Sequence, residues 1–239
     1  MKVVCVIPAR LASTRFPRKI LAKIGTKTMI EHVWIGAKKC PEFSEVYFAI
    51  DSEEVAKVID SFGGNWKMTA PECPSGTHRL IEFVETYNIK ADVFVNWQAD
   101  EPLVSSQMIA ELLQGIYNPL EEIWTLKKEV HGEEILNPNV VKVVCDAFGK
   151  ALYFSRSPIP FEREQTGISI YKHIGLYAYR YEALCRIKNL SITPLAKAES
   201  LEQLTFLENG LYIRVFPTQE ETIGVDTPSD LIKVISTLS

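Results

Sequence analysis

The chain has 239 residues, a length that suits one large α/β domain or two small ones. Hydrophobic residues make up 46% of it and charged residues 23%, which is typical of a soluble globular protein and excludes fibrous and disordered classes. The formal net charge of −4 gives no general attraction to nucleic acid or to an anionic membrane, so any anion site needs a local cluster of positive side chains.

The chain shows no sign of export or of membrane insertion. No apolar run approaches the roughly 18 residues of a transmembrane helix, and the apolar stretch Val3–Ile7 is shorter than the apolar core of a secretory signal. The five cysteines are odd in number and include no CxxC pair, so a disulfide framework or a structural zinc site is not expected. We expect a cytoplasmic protein with reduced thiols and no membrane partner.

The first half of the chain alternates between short apolar runs and segments with helical spacing. Strands are predicted at 3–7, 46–50, 66–69 and 93–97, with Pro8 ending the first. Helices are predicted at 29–37, around 80–84 and at 108–116. A further helix is predicted to start after Asp51, which has the spacing of an N-cap with Glu54 at N3. This alternation is typical of βαβ units. It predicts an α/β fold with a mostly parallel central sheet and helices on both faces, of the Rossmann-like nucleotide-binding type.

The second half is richer in strands. The runs 140–145 and 151–154 flank a hairpin signal at 146–149, and a further strand is predicted at 171–179. Helical spacing returns at 201–207, and Thr227 with Pro228 is typical of the start of a last helix. With no repeat or flexible linker, we expect one domain over 1–239 with a β-rich subregion at about 123–180.

A dense positive loop follows the first predicted strand. Residues 7–21 read IPARLASTRFPRKIL, in which Arg10, Arg15, Arg18 and Lys19 are cationic and Ser13 and Thr14 carry hydroxyls. The loop has no glycine between Pro8 and Arg18, so it is not a Walker loop. Its place at the carboxyl end of a strand favours a small polyanionic ligand over a solvated surface loop, and no aromatic interleaving indicates nucleic acid.

Two acidic motifs and one turn accompany this loop. Asp100 follows the strand 93–97, and Asp226 precedes the last helix. Either aspartate alone fits a capping role, but a carboxylate about 4 Å from a phosphate oxygen is repelled by roughly 4 kcal/mol at an effective dielectric near 20. The pair beside a polyphosphate therefore indicates an intervening cation, and Mg²⁺ suits these ligands. The turn 74–79 (PSGTHR) is typical of either a base-reading turn or an ordinary entry to a helix in which Arg79 is the first residue.

These motifs occur in an order that resembles the CMP-Kdo synthetases (3-deoxy-manno-octulosonate cytidylyltransferases) of the nucleotide-sugar transferase superfamily. The resemblance covers nearly the whole chain and rests on IPARLASTRFPRK, PSGT-x-R, QADEP, LYFSRSPIP, KHIGLYAYR, LEQL and GVDTPSDL. It implies that CTP and the acid sugar 3-deoxy-manno-octulosonate (Kdo) are the substrates. The anomeric hydroxyl of Kdo would attack the α-phosphorus and release pyrophosphate, and CMP-Kdo would enter lipopolysaccharide or capsule synthesis.

The resemblance also implies residue roles. The catalytic set is Lys19, Asp100 and Asp226, of which Asp100 and Asp226 hold Mg²⁺. The residues implied to bind the nucleotide are Pro8, Ala9, Arg10, Ser13, Arg15, Lys19, Ser75, Gly76, Arg79 and Gln98. Those implied to bind the sugar are Arg156, His173, Tyr177, Glu202 and Gln203. A homodimer is expected from the family alone.

Two departures from the family pattern and three alternatives remain. Ala99 stands where many members have glycine, and His78 replaces an acid before Arg79, which removes an ion pair that this acid would form.

The sequence leaves the identity of the acceptor of CMP undecided between Kdo, 8-amino-Kdo, a sialic-acid-like sugar and another small acid. A nucleotide-binding module without turnover is a further alternative, although it would need no pair of metal-binding carboxylates. A generic anion- or RNA-binding protein is the weakest.

Overall fold

The structure is a computed structural model that describes residues 1–13, 15–164 and 166–238. Its chain divides into two compact units: unit 1 is Met1–Ala110 with Glu221–Ser239, and unit 2 is Glu111–Glu220. The predicted β-rich subregion falls within unit 2, and the prediction of one domain over 1–239 stays a prediction. Among the helices of the described chain, none has the length and apolar character needed to cross a membrane.

The secondary structure follows the predicted alternation. The strands are β1 (Val3–Ala9), β2 (Lys23–Ile24), β3 (Lys27–Thr28), β4 (Glu45–Ile50), β5 (Trp66–Met68), β6 (Val93–Asn96), β7 (Ile123–Val130), β8 (Lys142–Cys145), β9 (Ala151–Ser155), β10 (Ile170–Arg180) and β11 (Ile213–Pro217). The α-helices are α1 (Met29–Lys38), α2 (Glu53–Ser61), α3 (Gly76–Thr86), α4 (Ser106–Leu113), α5 (Glu133–Leu136), α6 (Tyr181–Ile187), α7 (Pro194–Glu199), α8 (Glu202–Glu208) and α9 (Pro228–Leu238).

The sheet of unit 1 is parallel and runs in the order β6-β1-β4-β5. The chain adds β4 and β5 on one side of β1 and then returns to add β6 on the other side. Because βαβ crossovers are right-handed, α1 and α2 cover one face and α3 the opposite face. The predicted α/β class, with a mostly parallel sheet and helices on both faces, is confirmed. The reversal between β1 and β6 creates a crevice at their carboxyl ends, where open α/β sheets bind ligands.

β1 continues through the proline that we expected to end it. Pro8 pairs with Ala49 of β4, and the strand ends at Ala9. The Val6 carbonyl accepts the Trp97 N–H at 3.2 Å, so residues 6 and 8 direct their backbone groups toward the β6 side. β6 ends at Asn96, so it offers no backbone carbonyl to position 8. The lack of an N–H on Pro8 therefore costs the sheet no hydrogen bond.

Two predicted helix starts are wrong. Ser52, not Asp51, caps α2, because the Ser52 side chain accepts the Glu54 N–H at 3.2 Å. Helix α3 begins at Gly76 after the N-cap Ser75, three residues before the predicted start at Arg79. The first difference leaves the Asp51 carboxylate available for a tertiary contact rather than for capping.

Apolar burial holds unit 1 together. Val4 and Phe94 in the sheet are 0% exposed, and each such side chain contributes about 1.5–3 kcal/mol relative to exposure. The returning C-terminal segment packs Val225 and Val234 against Ile24 and Met29. That packing brings the residues just before α9 back to the loops of the first half of the chain.

Unit 2 is built on antiparallel pairs. β10 pairs with β7 along its length and with β8 at Lys172, and β8 pairs with β9 through the predicted hairpin. β11 adds to β7 in parallel. The strand-rich character is confirmed, but the strands β7 and β11 and the helices α5, α6 and α7 have no counterpart in the sequence prediction.

Candidate active site

A cavity of about 270 Å³ opens at the carboxyl ends of β1 and β6, in unit 1. Every residue that we predicted to bind nucleotide or metal lines it except Ala9, which is fully buried at the end of β1. Segments that are far apart in the sequence therefore meet at the crevice that the strand order creates. The binding roles of these residues stay predictions.

The loop after β1 supplies most of the positive charge. Arg10, Ser13 and Arg15 line the cavity. Arg18 has left-handed backbone (φ 58°) and its guanidinium pairs with Glu54 of α2, so it is not part of this lining. The predicted hydroxyl of Thr14 lies outside the described residues.

Lys19 stands between the two predicted metal ligands. Its Nζ lies 2.5 Å from Asp100 Oδ2 and 2.9 Å from Asp226 Oδ1, and the side chain is 13% exposed. Burial by itself would lower the pKa of Lys19, but the charges and hydrogen bonds of Asp100 and Asp226 outweigh burial and raise it. Arg15 Nη2 also contacts Asp226 Oδ1, at 2.9 Å. The cationic loop and both aspartates thus form one electrostatic cluster.

The backbone places the two aspartates side by side. The Val225 N–H donates to the Asp100 carbonyl at 2.9 Å, which joins the segment before α9 to the loop after β6. At the start of α9, Asp230 Oδ2 accepts the Thr227 N–H at 3.0 Å and the Thr227 hydroxyl at 2.7 Å. Because Thr227 and Asp230 cap the helix, the side chain of Asp226 is left for Lys19.

Glu101 is a third carboxylate that sequence reasoning missed. Its Oε2 is buried and has no hydrogen-bond partner among the described residues. Burial first, and then the charges of Asp100 and Asp226, raise the pKa of Glu101 to about 8, against the opposing effect of Lys19. Glu101 therefore holds its proton at neutral pH, whereas Asp100 and Asp226 pair with Lys19.

A further part of the cavity lining comes from the start of α3 and from Gln98. The Ser75 hydroxyl accepts the His78 N–H at 3.1 Å and lies 2.9 Å from His78 Nδ1. A Cβ added at Gly76 would lie 2.9 Å from the Gln98 side-chain amide, so only glycine allows this approach. Gln98 Nε2 in turn donates to Asn96 Oδ1 at 3.1 Å. This arrangement presents an oriented amide to the cavity, the kind of group that reads the edge of a base.

Arg79 has a different carboxylate partner from the one that His78 replaces. Its side chain is 2% exposed and pairs with Asp51, with 3.2 Å between Nη2 and Oδ2. Nη1 donates to the Thr69 hydroxyl at 2.6 Å. The departure at His78 therefore does not leave Arg79 unpaired.

In unit 2, Arg156 is fixed by backbone carbonyls. Nε donates to the Glu199 carbonyl at 2.7 Å and Nη1 to the Pro138 carbonyl at 2.9 Å. Beside it, Lys142 is fully buried, and its Nζ donates to the carbonyls of Asn137, Val140 and Arg156 at 2.6–3.0 Å. Burial first, and then the charge of Arg156, lower the pKa of Lys142. A lysine within the apolar run 140–145 was the signal in the sequence for such a buried cation.

His173 and Tyr177, predicted to share a face, are in contact although a bulge shifts the register of β10 between Ile174 and Tyr177. Their rings lie 5.3 Å apart. The Tyr177 hydroxyl is buried and makes no hydrogen bond of normal geometry with a described residue, although Thr125 lies near it. Burial first, then Tyr179 and Glu202, raise the pKa of Tyr177. Glu202 opens α8, and the neighbouring Gln203 is 7% exposed.

Comparison with known proteins identifies the family. A family model described as cytidylyltransferase matches residues 4–221. The chain belongs to the cytidylyltransferase family. Among curated cytidylyltransferases, the 3-deoxy-manno-octulosonate cytidylyltransferase of Geobacter metallireducens is 46% identical over 100% of this chain and 98% of its own length. The enzyme of the same name from Koribacter versatilis is 45% identical over 98% of this chain and 89% of its own length.

Solved structures agree with this cytidylyltransferase assignment. A structure of CMP:2-keto-3-deoxy-manno-octonic acid synthetase complexed with CTP is similar at a TM-score of 0.95 and 40% identity, over 100% of this chain and 98% of that chain. The 4-diphosphocytidyl-2C-methyl-D-erythritol synthase of Anaerococcus prevotii is similar in fold at a TM-score of 0.65, with 12% identity over 99% of this chain and 98% of that chain. The predicted resemblance to the CMP-Kdo synthetases is confirmed.

Proposed function

We propose that this chain transfers CMP from CTP to the anomeric hydroxyl of Kdo and releases pyrophosphate. The observation that carries the proposal is the convergence of Lys19, Asp100 and Asp226 in one cavity with the cationic loop after β1. Similarity to relatives named for Kdo, over nearly the full length of both chains, supports the choice of substrates. The product, CMP-Kdo, would enter lipopolysaccharide or capsule synthesis.

The side chains of the cavity suit the parts of CTP. Arg10 and Arg15 provide guanidinium forks that bind phosphate oxygens in pairs, and Lys19 provides a point charge. Gln98, held against Gly76, is placed to hydrogen-bond the edge of cytosine. The anomeric oxygen forms the new bond to the α-phosphorus, the bond to pyrophosphate breaks, and the hydroxyl proton passes to solvent. The cationic loop stabilises the charge of the leaving pyrophosphate.

The residues of the cluster also fit Mg²⁺. Asp100 and Asp226 both line the cavity, and the buried Oε2 of the neighbouring Glu101 has no described partner, so carboxylate oxygens of the kind that Mg²⁺ prefers meet at one place. Within the described parts of the chain, no group of three or more His, Cys, Asp or Glu side chains is arranged to hold a metal by itself. Mg²⁺ takes one or two carboxylates and completes its shell with substrate phosphates and water. Asp100 and Asp226 would hold the ion, and it would neutralise phosphate charge when bound.

The predicted sugar-binding residues of unit 2 have side chains that suit an acid sugar. The buried, neutral His173 ring and the Tyr177 hydroxyl are groups that bind sugar hydroxyls, as are Glu202 and Gln203. Arg156 carries the positive charge that a sugar carboxylate requires.

A pyrophosphate-release assay tests the substrates. CTP, UTP and ATP are each combined with Kdo, 8-amino-Kdo and N-acetylneuraminate, with and without Mg²⁺. We expect release only with CTP, Mg²⁺ and Kdo together. Equal turnover with UTP would contradict the cytidine assignment, preference for another sugar would select an alternative acceptor, and binding of CTP without any turnover would select the non-catalytic module.

Replacement of Asp100 tests the metal role. Asp100→Asn keeps the size of the side chain but removes one of two carboxylates, so we expect a loss of at least about 100-fold in kcat with an unchanged melting temperature. Asp60→Asn is the matched control, since Asp60 lies on α2 and pairs with Trp66 at 2.8 Å, outside the cavity lining. Near-normal activity of Asp100→Asn would exclude its proposed role.

We also propose that the protein forms a homodimer, as the resemblance implies. Light scattering after size-exclusion chromatography gives the mass directly, and a monomeric mass at micromolar concentration would contradict this proposal.

A further inference from the structure

Asp51 lies outside all the motifs of the sequence analysis, yet its side chain joins two segments of the candidate site. It directly follows β4, and its side chain is 7% exposed. Oδ1 accepts the Leu11 backbone N–H at 3.0 Å, and Oδ2 pairs with Arg79 Nη2 at 3.2 Å. Both carboxylate oxygens are therefore engaged, each by a different part of unit 1.

The two partners of Asp51 belong to two different segments that supply residues to the cavity lining. Leu11 lies between Arg10 and Ser13 in the cationic loop, whereas Arg79 belongs to α3. The Arg79 guanidinium is held on its other side as well, because Nη1 donates to Thr69 Oγ1 at 2.6 Å and the Thr69 hydroxyl donates to the Ile50 carbonyl at 2.9 Å. One chain of hydrogen bonds thus runs from the loop backbone to the helix and back to β4.

We infer that Asp51 is a positioning residue that fixes the separation and orientation of the two segments for CTP, acting through Leu11 and Arg79. This inference rests on the proposed function. Asp51 does not itself line the cavity, and a carboxylate directed at a triphosphate would repel it. A stabilising role alone is a poor explanation of a buried ion pair, because desolvation offsets most of the attraction between the charges. What such a pair supplies is a defined geometry.

Asp51→Asn is the most direct test. Asparagine keeps the oxygen that accepts the Leu11 N–H but presents an amide N–H₂ to Arg79, so the loop contact remains and the helix contact is lost. A hydrogen bond to a charged group is worth about 1.5–3 kcal/mol, which corresponds to roughly a 10- to 100-fold change in an equilibrium constant. We expect the Kd and KM for CTP to rise by about that factor, with kcat and the KM for Kdo changed by less than about 3-fold.

Controls separate positioning from stability. Val55→Ala removes buried methyl groups from α2 without touching the cavity, so it destabilises unit 1 while the KM for CTP stays normal. Thr69→Val removes the second hydrogen bond of Arg79, together with the bond from the Thr69 hydroxyl to the Ile50 carbonyl, and leaves the pair with Asp51 in place. It should raise the KM for CTP in the same direction by a smaller factor. This second variant keeps the test usable if Asp51→Asn does not fold.

The outcomes distinguish this inference from the proposed function. If the wild-type protein neither binds nor turns over CTP, the proposed function fails, whatever the variants do. If the wild-type protein is active and Asp51→Asn and Thr69→Val bind CTP normally, the positioning role is overturned. Equal loss of activity in Val55→Ala and Asp51→Asn at matched stability would also overturn it. A selective rise in the Kd for CTP supports it.

Discussion

His173 makes the stability of the folded protein depend on pH over a predictable range. The residue is half-buried, but its ring is enclosed by Phe154 at 4.9 Å and Tyr177 at 5.3 Å, and Nε2 lies 3.1 Å from Thr125 Oγ1. Burial lowers the pKa of His173 to about 3, whereas the ring in an unfolded chain titrates near a pKa of about 6.5.

The sign and size of the effect follow from proton linkage. Between the two pKa values the unfolded chain binds a proton at this ring and the folded chain does not. The contribution of His173 to stability is therefore complete above about pH 6.5 and is lost as the pH falls toward about 3. The slope approaches about 1.4 kcal/mol per pH unit, so the loss from about pH 7 to about pH 5 is about 2 kcal/mol. Any folded pKa below about 4.5 gives nearly the same loss over this interval, because pH 5 already lies above it.

Urea unfolding of wild-type and His173→Phe proteins at the two pH values measures this loss. The variant keeps a ring beside Phe154 and Tyr177 but cannot bind the proton, so its free energy of unfolding should fall by about 2 kcal/mol less than that of the wild type. His131→Phe is the control, since His131 is exposed. Equal pH dependence in wild-type and His173→Phe proteins would refute the assignment of a buried, neutral ring.

Two further substitutions test other parts of the structure. Gly76→Ala places a Cβ 2.9 Å from the Gln98 amide, so Gln98 must move, and we expect roughly a 10-fold or larger rise in the KM for CTP with an unchanged KM for Kdo; an unchanged KM for CTP would remove Gln98 from the cytidine site. Lys142→Met removes the donor to three carbonyls but also the desolvated charge, and we expect a net loss of about 2 kcal/mol in urea unfolding. Unchanged stability would show that relief of the desolvation of the ammonium group offsets the lost hydrogen bonds completely.

The sequence predicted the parallel half of the fold because its signals are local. The run Val93–Val95 is apolar at three successive positions, as expected for a short strand covered on both faces, and β6 is observed there. The role of Asp51 could not be predicted from its neighbours in the sequence. Its spacing to Glu54 is that of a helix cap, yet Ser52 caps α2 and Asp51 pairs with Arg79, a residue that follows a later strand. Glu101 was missed for the same reason, since its burial depends on the segment that returns before α9.

The amino-acid sequence by itself determined the α/β class, the order of the motifs and the residue types that a CTP site needs, because hydrophobic period and motif spacing are properties of neighbouring residues. Only the tertiary structure decided that Lys19, Asp100 and Asp226 meet in one cavity, that Arg18 pairs with Glu54 instead, and that Asp51 joins the two segments. The physical reason is the reversal of strand order between β1 and β6. It gathers the carboxyl ends of distant strands at one crevice, and no local pattern in the chain encodes which charges will face one another there.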